Sequence, residues 1–260
     1  MKKHLNTFFI LTLLLAGALA PIVSPCAFAQ EQKAITAPGT YPHVTVPDTE
    51  LRSFHSEILN RQMNIFVKLP AAYYENPEQV YPVWYVTDAN RSFPMLANMI
   101  SIFDVPAPTI PEIVLIGIGY EISDMADFGA WRTCDLTPVN ESWADEYWGK
   151  MLSQLAGREV VVRSGGAAVF LSFITEELFP FVESNYRVSS CERCLGGISY
   201  GGLFTLYVMF KKPELFTKYF AGSPPIGYGD GVLFKYEEEL AASHDDLNAR
   251  LFMTIGGLED

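Results

Sequence analysis

The sequence predicts an α/β fold: a mostly parallel central sheet, helices on both faces, and an antiparallel hairpin at its N-terminal edge. Three observations carry this. Short apolar runs alternate with amphipathic stretches through most of the 260 residues. One of those runs, Ile113-Val-Leu-Ile-Gly-Ile-Gly119, has no polar face, as a strand covered on both sides should not. The stretch Leu195-Gly-Gly-Ile-Ser-Tyr-Gly-Gly202 sets a glycine-rich turn between a brief apolar lead and a helical pattern.

The elements come in order along the chain. Met1-Lys-Lys-His4 and the apolar run Phe8–Ala16 read as the basic and hydrophobic parts of a secretory signal peptide over residues 1–29, with Ala27-Phe28-Ala29 as its cleavage signature. The run is short for a membrane span, and Pro21 and Pro25 interrupt its continuation. Residues 30–260 then form one domain, entered through a polar arm over 30–50. Ser53–Leu59 and Gln62–Leu69 flank Asn60-Arg61 as a hairpin. Val83–Thr87 is a strand ending at Asp88-Ala-Asn-Arg91, and Phe93–Phe103 a helix. After the Ile113–Gly119 strand, Tyr120–Gly157 reads as long and irregular, with Trp131, Trp143 and Trp148 packing the loop down. Ala167–Tyr186 is a helix that Pro180 should bend or split. Leu203–Phe210 is helical and closed by Pro213; Tyr219–Ser223 is a strand, Tyr236–Ala242 a helix and Leu251–Ile255 the last strand.

The formal charge is −12, and losing Lys2 and Lys3 with the leader takes it to −14. Such an acidic body repels phosphate backbones, so nucleic acid is not an expected partner. No stable membrane association is expected after cleavage, which places the product in the periplasm or outside the cell. Three cysteines remain beyond the leader: Cys134, Cys191 and Cys194. Cys191-Glu-Arg-Cys194 has redox or metal spacing, but there is no second pair to complete a zinc site. A structural disulfide or buried thiols are the expectation, with no metal and no cofactor.

Gly197-Ile198-Ser199-Tyr200-Gly201 fits the G-x-S-x-G nucleophile elbow, a strand-to-helix turn that lifts a serine hydroxyl above the end of a sheet. The flanking glycines have a steric reason, because side chains there would collide with the following helix. A serine hydroxyl needs a positioned base, and the base needs an orienting carboxylate. Elbow hydrolases supply these in the chain order Ser, Asp/Glu, His. Glu259, just past the last strand, is the expected acid, with Asp260 as the close second. Oxyanion donors are expected from the backbone of Tyr200, at a helix N-terminus, and of Asn90 after the Val83–Thr87 strand, with Ala89 as the alternative. The histidines are His4, His43, His55 and His244, and none follows Glu259. His244 precedes the last strand and should lie at the end of the sheet opposite Ser199. The expectation is therefore a C-terminally truncated sequence whose histidine lies on a following segment.

Together these residues resemble the esterase family of α/β-hydrolases that includes enterochelin esterases and S-formylglutathione hydrolases. The resemblance runs through Tyr81-Pro-Val-Trp-Tyr-Val-Thr-Asp88, Ile116-Gly-Ile-Gly-Tyr120, Asp135-Leu-Thr-Pro138, Gly165-Gly-Ala167 with Phe170-Leu171 and Glu177-Leu178, and from Gly196 to Ser223-Pro224. It implies an α/β-hydrolase domain, Ser199 as nucleophile, Glu259 as carboxylate, and hydrolysis of small-molecule carboxylic esters without metal. Siderophore esters are a more specific substrate, and a non-catalytic binding protein retaining the fold is the competing class. Ala89 stands where the family usually has glycine, and the family's histidine has no counterpart.

Overall fold

In the computed structural model, residues 45–103 and 110–259 are described. The expected leader over 1–29 and Asp260 lie outside them. Seven strands form one sheet in the order β1-β2-β4-β3-β5-β6-β7. The hairpin strands β1 (Thr49–Ser56) and β2 (Arg61–Lys68) are antiparallel, in register from Thr49 opposite Lys68 to Ser56 opposite Arg61. Asn60 takes the left-handed φ of 49° that closes the turn between them. β2 also runs antiparallel to β4 (Val114–Tyr120), and from there β3 (Tyr81–Val86), β5 (Val188–Ile198), β6 (Lys218–Gly222) and β7 (Arg250–Thr254) are all parallel. β4 is buried along its whole length, which is why its sequence shows no alternation.

One face of the sheet is covered by α1 (Ala89–Phe103), which sets Phe93, Ala97 and Ile100 against Val86 and Leu115. Fully burying a side chain the size of Phe93 or Ile100 is worth about 1.5–3 kcal/mol. The other face carries the larger core. There α4 (Ala167–Phe173), α5 (Phe179–Asn185), α6 (Tyr200–Lys211) and α7 (Tyr228–Ala241) add Phe170, Phe179, Phe204 and Leu233 to one cluster with Tyr85 and Tyr219, the Phe179 ring 5.1 Å from that of Tyr85. The α1 side is not covered out to the β7 edge: Ile198 and Phe252, which strand register puts on the same face as Val86, are exposed by 52% and 62%. Helices thus line both faces as expected, but unevenly.

Three expectations are corrected. Tyr120–Gly157 is not irregular: it contains α2 (Met125–Asp135) and α3 (Ser142–Ala156). Asp124 caps α2 by accepting from the Ala126 and Asp127 N–H groups. Gly129 obscures the apolar spacing of α2, yet it is what lets Leu152 of α3 approach, since a Cβ there would lie 2.7 Å from Leu152 Cδ2. The last helix begins at Tyr228 rather than Tyr236, across a left-handed run over Gly229–Gly231 that breaks the periodicity. The first helix begins at Ala89, four residues before Phe93, directly at the strand's end. The break anticipated near Pro180 is a change of hydrogen-bond register rather than a split: the backbone stays helical from α4 into α5 through a π turn over Ile174–Leu178, just ahead of the proline.

That π turn carries Glu177 to the hairpin. Its carboxylate accepts from Ser56 Oγ at 2.5 Å and from the Glu57 and Ile58 N–H groups at 3.0 and 3.1 Å. Replacing Glu177 by Ala strands a buried hydroxyl and two turn amides. The expected loss is about 1–3 kcal/mol, read as a lower urea midpoint at unchanged m-value.

Candidate active site

Ser199 stands between the end of β5 and the first residue of α6, exposed, with φ 58° and ψ −121°. An L-residue held there stores on the order of 1–3 kcal/mol of strain, and it persists only where the surroundings enforce it. The enforcement is visible. The Ser199 N–H donates to Gly222 O on β6 at 2.8 Å, and its carbonyl accepts from Leu203 N at 2.9 Å to start the helix. Steric closure does the rest. A Cβ on Gly197 would lie 2.5 Å from the Gly201 carbonyl carbon, and one on Gly201 would run into Thr87 Oγ1. Thr87, at the end of β3, is 3% exposed, and among the described residues its hydroxyl has no hydrogen-bond partner. It fills the space that two glycines leave.

The first N–H groups of α6, beginning with Tyr200, point out of the helix beneath the Ser199 turn without an intrahelical acceptor. The first N–H groups of α1, Ala89 and Asn90, are in the same position at the end of β3, the strand beside β5. The Asn90 side chain does something the sequence did not suggest. Its Oδ1 accepts from Tyr120 N at 2.8 Å and its Nδ2 donates to Tyr120 O at 2.9 Å, pinning the start of α1 to the end of β4.

Glu259 lies beyond the carboxyl end of β7, in a turn closed by its own N–H to Gly256 O at 3.0 Å. Its Oε1 accepts from Ser223 Oγ, at the end of β6, at 3.1 Å. β5, β6 and β7 are parallel neighbours, so Ser199, Ser223 and Glu259 share one edge of the sheet, where ligands of such folds bind. Neither described histidine reaches that edge. His55 is exposed on β1, with β2, β4 and β3 between it and β5. His244 hydrogen-bonds Ser243 Oγ at 2.9 Å and borders a hollow with Thr217 and Asn248, before the starts of β6 and β7, at the opposite end as expected.

Four residues around the turn, Asp88, Arg132, Tyr228 and Thr87, were given no role by the sequence. Asp88, at φ 57°, receives a two-pronged ion pair from Arg132: Nε to Oδ1 at 2.9 Å and a terminal nitrogen to Oδ2 at 2.8 Å. The same guanidinium lies 5.3 Å from the centre of the Tyr200 ring. Trp148 Nε1 donates to the Tyr200 hydroxyl at 3.0 Å, and Tyr228 meets the Tyr200 ring edge-on. Thr87 is the fourth. Arg132 and Trp148 lie in the segment read as irregular, where the sequence offers nothing to pair a lone arginine with an aspartate 44 positions earlier. Trp148 packs as anticipated, whereas Trp143 is largely exposed.

The cysteines are free: no disulfide joins Cys134, Cys191 and Cys194, and Cys191 is exposed rather than buried. Burial pushes the Cys194 thiol up to about 12 and the Cys134 thiol to about 11, against the thiolate that redox and metal chemistry require. No helix among the described residues is long and apolar enough to cross a membrane.

A family model described as "Putative esterase" matches residues 56–158 and 156–228. The chain is 35% identical over 200 residues to a ferri-bacillibactin esterase of Bacillus subtilis, covering 76% of this chain and 65% of that one. It is 35% identical over 148 residues to a siderophore enterobactin esterase of Emericella nidulans, covering 56% of this chain and 46% of the relative. The chain thus spans less than two thirds of the length of both relatives. Among solved structures, a BES protein from Bacillus cereus superposes with a TM-score of 0.69 at 26% identity, over 85% of this chain and 79% of that one.

The contact between Gly201 and Thr87 can be tested apart from any chemistry. Gly201→Ala is expected to lose about 1–3 kcal/mol through overpacking. Thr87→Ala in the same chain removes the obstructing hydroxyl and should recover most of that loss in a double-mutant cycle followed by urea unfolding.

Proposed function

Because the chain belongs to this esterase family of α/β-hydrolases, we propose that it cleaves carboxylic esters through Ser199. The observation that carries this reading is an exposed serine at φ 58° on a glycine-bounded turn, with helix N–H groups beneath it. Ser199 Oγ attacks the ester carbonyl carbon as its proton passes to a base. The carbonyl oxygen takes the negative charge and is held by the N–H of Tyr200 and the N–H of Asn90, with Ala89 as the alternative second donor. Collapse expels the alcohol and leaves an acyl-serine, which water then hydrolyses by the same steps. Glu259 orients the base from the end of β7, one strand beyond β6, and accepts from Ser223 there. This route calls for no cofactor.

The substrate class we propose is a siderophore ester. Its support is the likeness to the Bacillus subtilis and Emericella nidulans esterases, whose names state such substrates. Export through the 1–29 leader would place the enzyme where iron carriers are met, and the intact mass of the exported protein tests it: cleavage after Ala29 is expected, and a retained Met1 would refute it.

A second reading, a binding protein that keeps the fold without turnover, is favoured by one observation: neither His55 nor His244 can serve Ser199 as its base. A panel of p-nitrophenyl esters and a fluorophosphonate probe separates the two. The esterase reading expects turnover and labelling, with Ser199→Ala abolishing labelling and lowering kcat about 10⁴-fold or more, and Glu259→Ala lowering kcat by at least about 100-fold. Absent turnover and labelling in the full-length protein, with a siderophore still bound, would establish the binding reading instead.

A further inference from the structure

We infer that Arg132 is a positioning residue that locks the two halves of the oxyanion hole to each other. The inference rests on the ester-hydrolysis reading for its purpose, but its geometry stands without it. The two proposed donors come from different elements: Tyr200 N–H opens α6, and Asn90 N–H opens α1. The ladder bond nearest both helix starts, Thr87 N–H to Gly196 O at 3.1 Å, lies below them, whereas an oxyanion requires their separation to hold to a few tenths of an ångström.

Arg132, on neither element, touches both. Its fork holds the carboxylate of Asp88, the residue before Ala89-Asn90, through Nε and a terminal nitrogen at 2.9 and 2.8 Å. Its face covers the ring of Tyr200, the residue that carries the other donor, at 5.3 Å, and it lies 5.9 Å from the Phe128 ring. The Asp88 carboxylate borders the turn: a side chain at Gly201 would come within 3.5 Å of Asp88 Oδ2. The pair is mostly dry, with side chains 17% and 15% exposed, so solvent screens it weakly. Asp88 has a left-handed φ of 57°, a conformation that an unaided L-residue leaves readily. On the far side, Trp148 Nε1 fixes the Tyr200 hydroxyl at 3.0 Å, so the ring under the guanidinium cannot turn away. A planar, two-pronged, stackable cation is needed for this combination, and lysine offers only a point charge.

The test uses the full chain and the variants Arg132→Gln, Arg132→Lys and Asp88→Asn. Amide hydrogen exchange is followed in two segments through their bonded amides: Arg91 and Ser92, which donate to Asp88 O, and Ser199 and Leu203, which donate to Gly222 O and Ser199 O. Arg132→Gln and Asp88→Asn are expected to raise exchange about tenfold or more in both segments while the β5 and β6 amides keep their wild-type rates. Exchange unchanged in either segment overturns the inference, and so does a uniform rise across the sheet, which is what a merely structural role would give. Kinetics on p-nitrophenyl acetate supply the second readout, since this small neutral ester offers an arginine no charge to bind. Arg132→Gln should lower kcat about 100-fold with KM changed by less than about threefold. A raised KM at unchanged kcat would make Arg132 a substrate-binding group and sink the proposal. Arg132→Lys, which keeps the charge should Gln compromise folding, is expected to recover only part of kcat; full recovery would refute the need for the fork. If the full-length wild-type protein hydrolyses no ester, the esterase reading falls while hydrogen exchange still decides the clamp.

Discussion

The backbone of Ser199 is held where an L-residue does not rest of its own accord, and much of the molecule can be understood as the means of holding it there. The strain is local, but the restraint is spread over three strands. β6 supplies the carbonyl of Gly222, β3 supplies the hydroxyl of Thr87, and β5 delivers the residue itself. The glycines at 197 and 201 are needed because the helix and Thr87 come closer than a methyl group allows. A parallel sheet suits this purpose, since it brings consecutive carboxyl ends to one rim while burying the strands that bear them.

The segment over 121–166 gives the rim its electrostatic character. It delivers Arg132 to Asp88 and Trp148 to Tyr200, so charge and aromatic surface gather on one side of the serine while Glu259 stands beyond β6 on the other. An acidic chain thus keeps a largely buried cation, already engaged, beside the Ser199 turn. Its weak exposure makes that pairing less sensitive to salt than the surface pairs Arg158 forms with Asp124 and Asp127.

Much of this was legible in the residues. The hairpin around Asn60-Arg61, the alternation of strands and helices, the break near Pro180 and the turn at Ser199 each arise from a local signal: a turn residue, an unbroken apolar run, an imino acid or flanking glycines. The helices over 125–135 and 142–156 did not show, because Gly129 and scattered polar residues hide a face that only mutual packing reveals. The site divides the same way. Ser199 announces itself by its neighbours in sequence. Asp88, Arg132 and Thr87 matter only through contacts made after folding, and no spacing rule joins positions 88 and 132. Asn90 was singled out for its backbone, whereas its side chain has a separate role, joining α1 to β4.

β7 shapes how the polypeptide would behave in a tube. Among the described residues it pairs with β6 alone, so its outer row of amides and carbonyls is open, and Leu251, Phe252 and Met253 show apolar surface along it. Such an edge is a template for a second strand, and two molecules can satisfy it in each other. The net negative charge opposes that encounter over roughly 10 Å at 0.1 M salt, and less as salt is added.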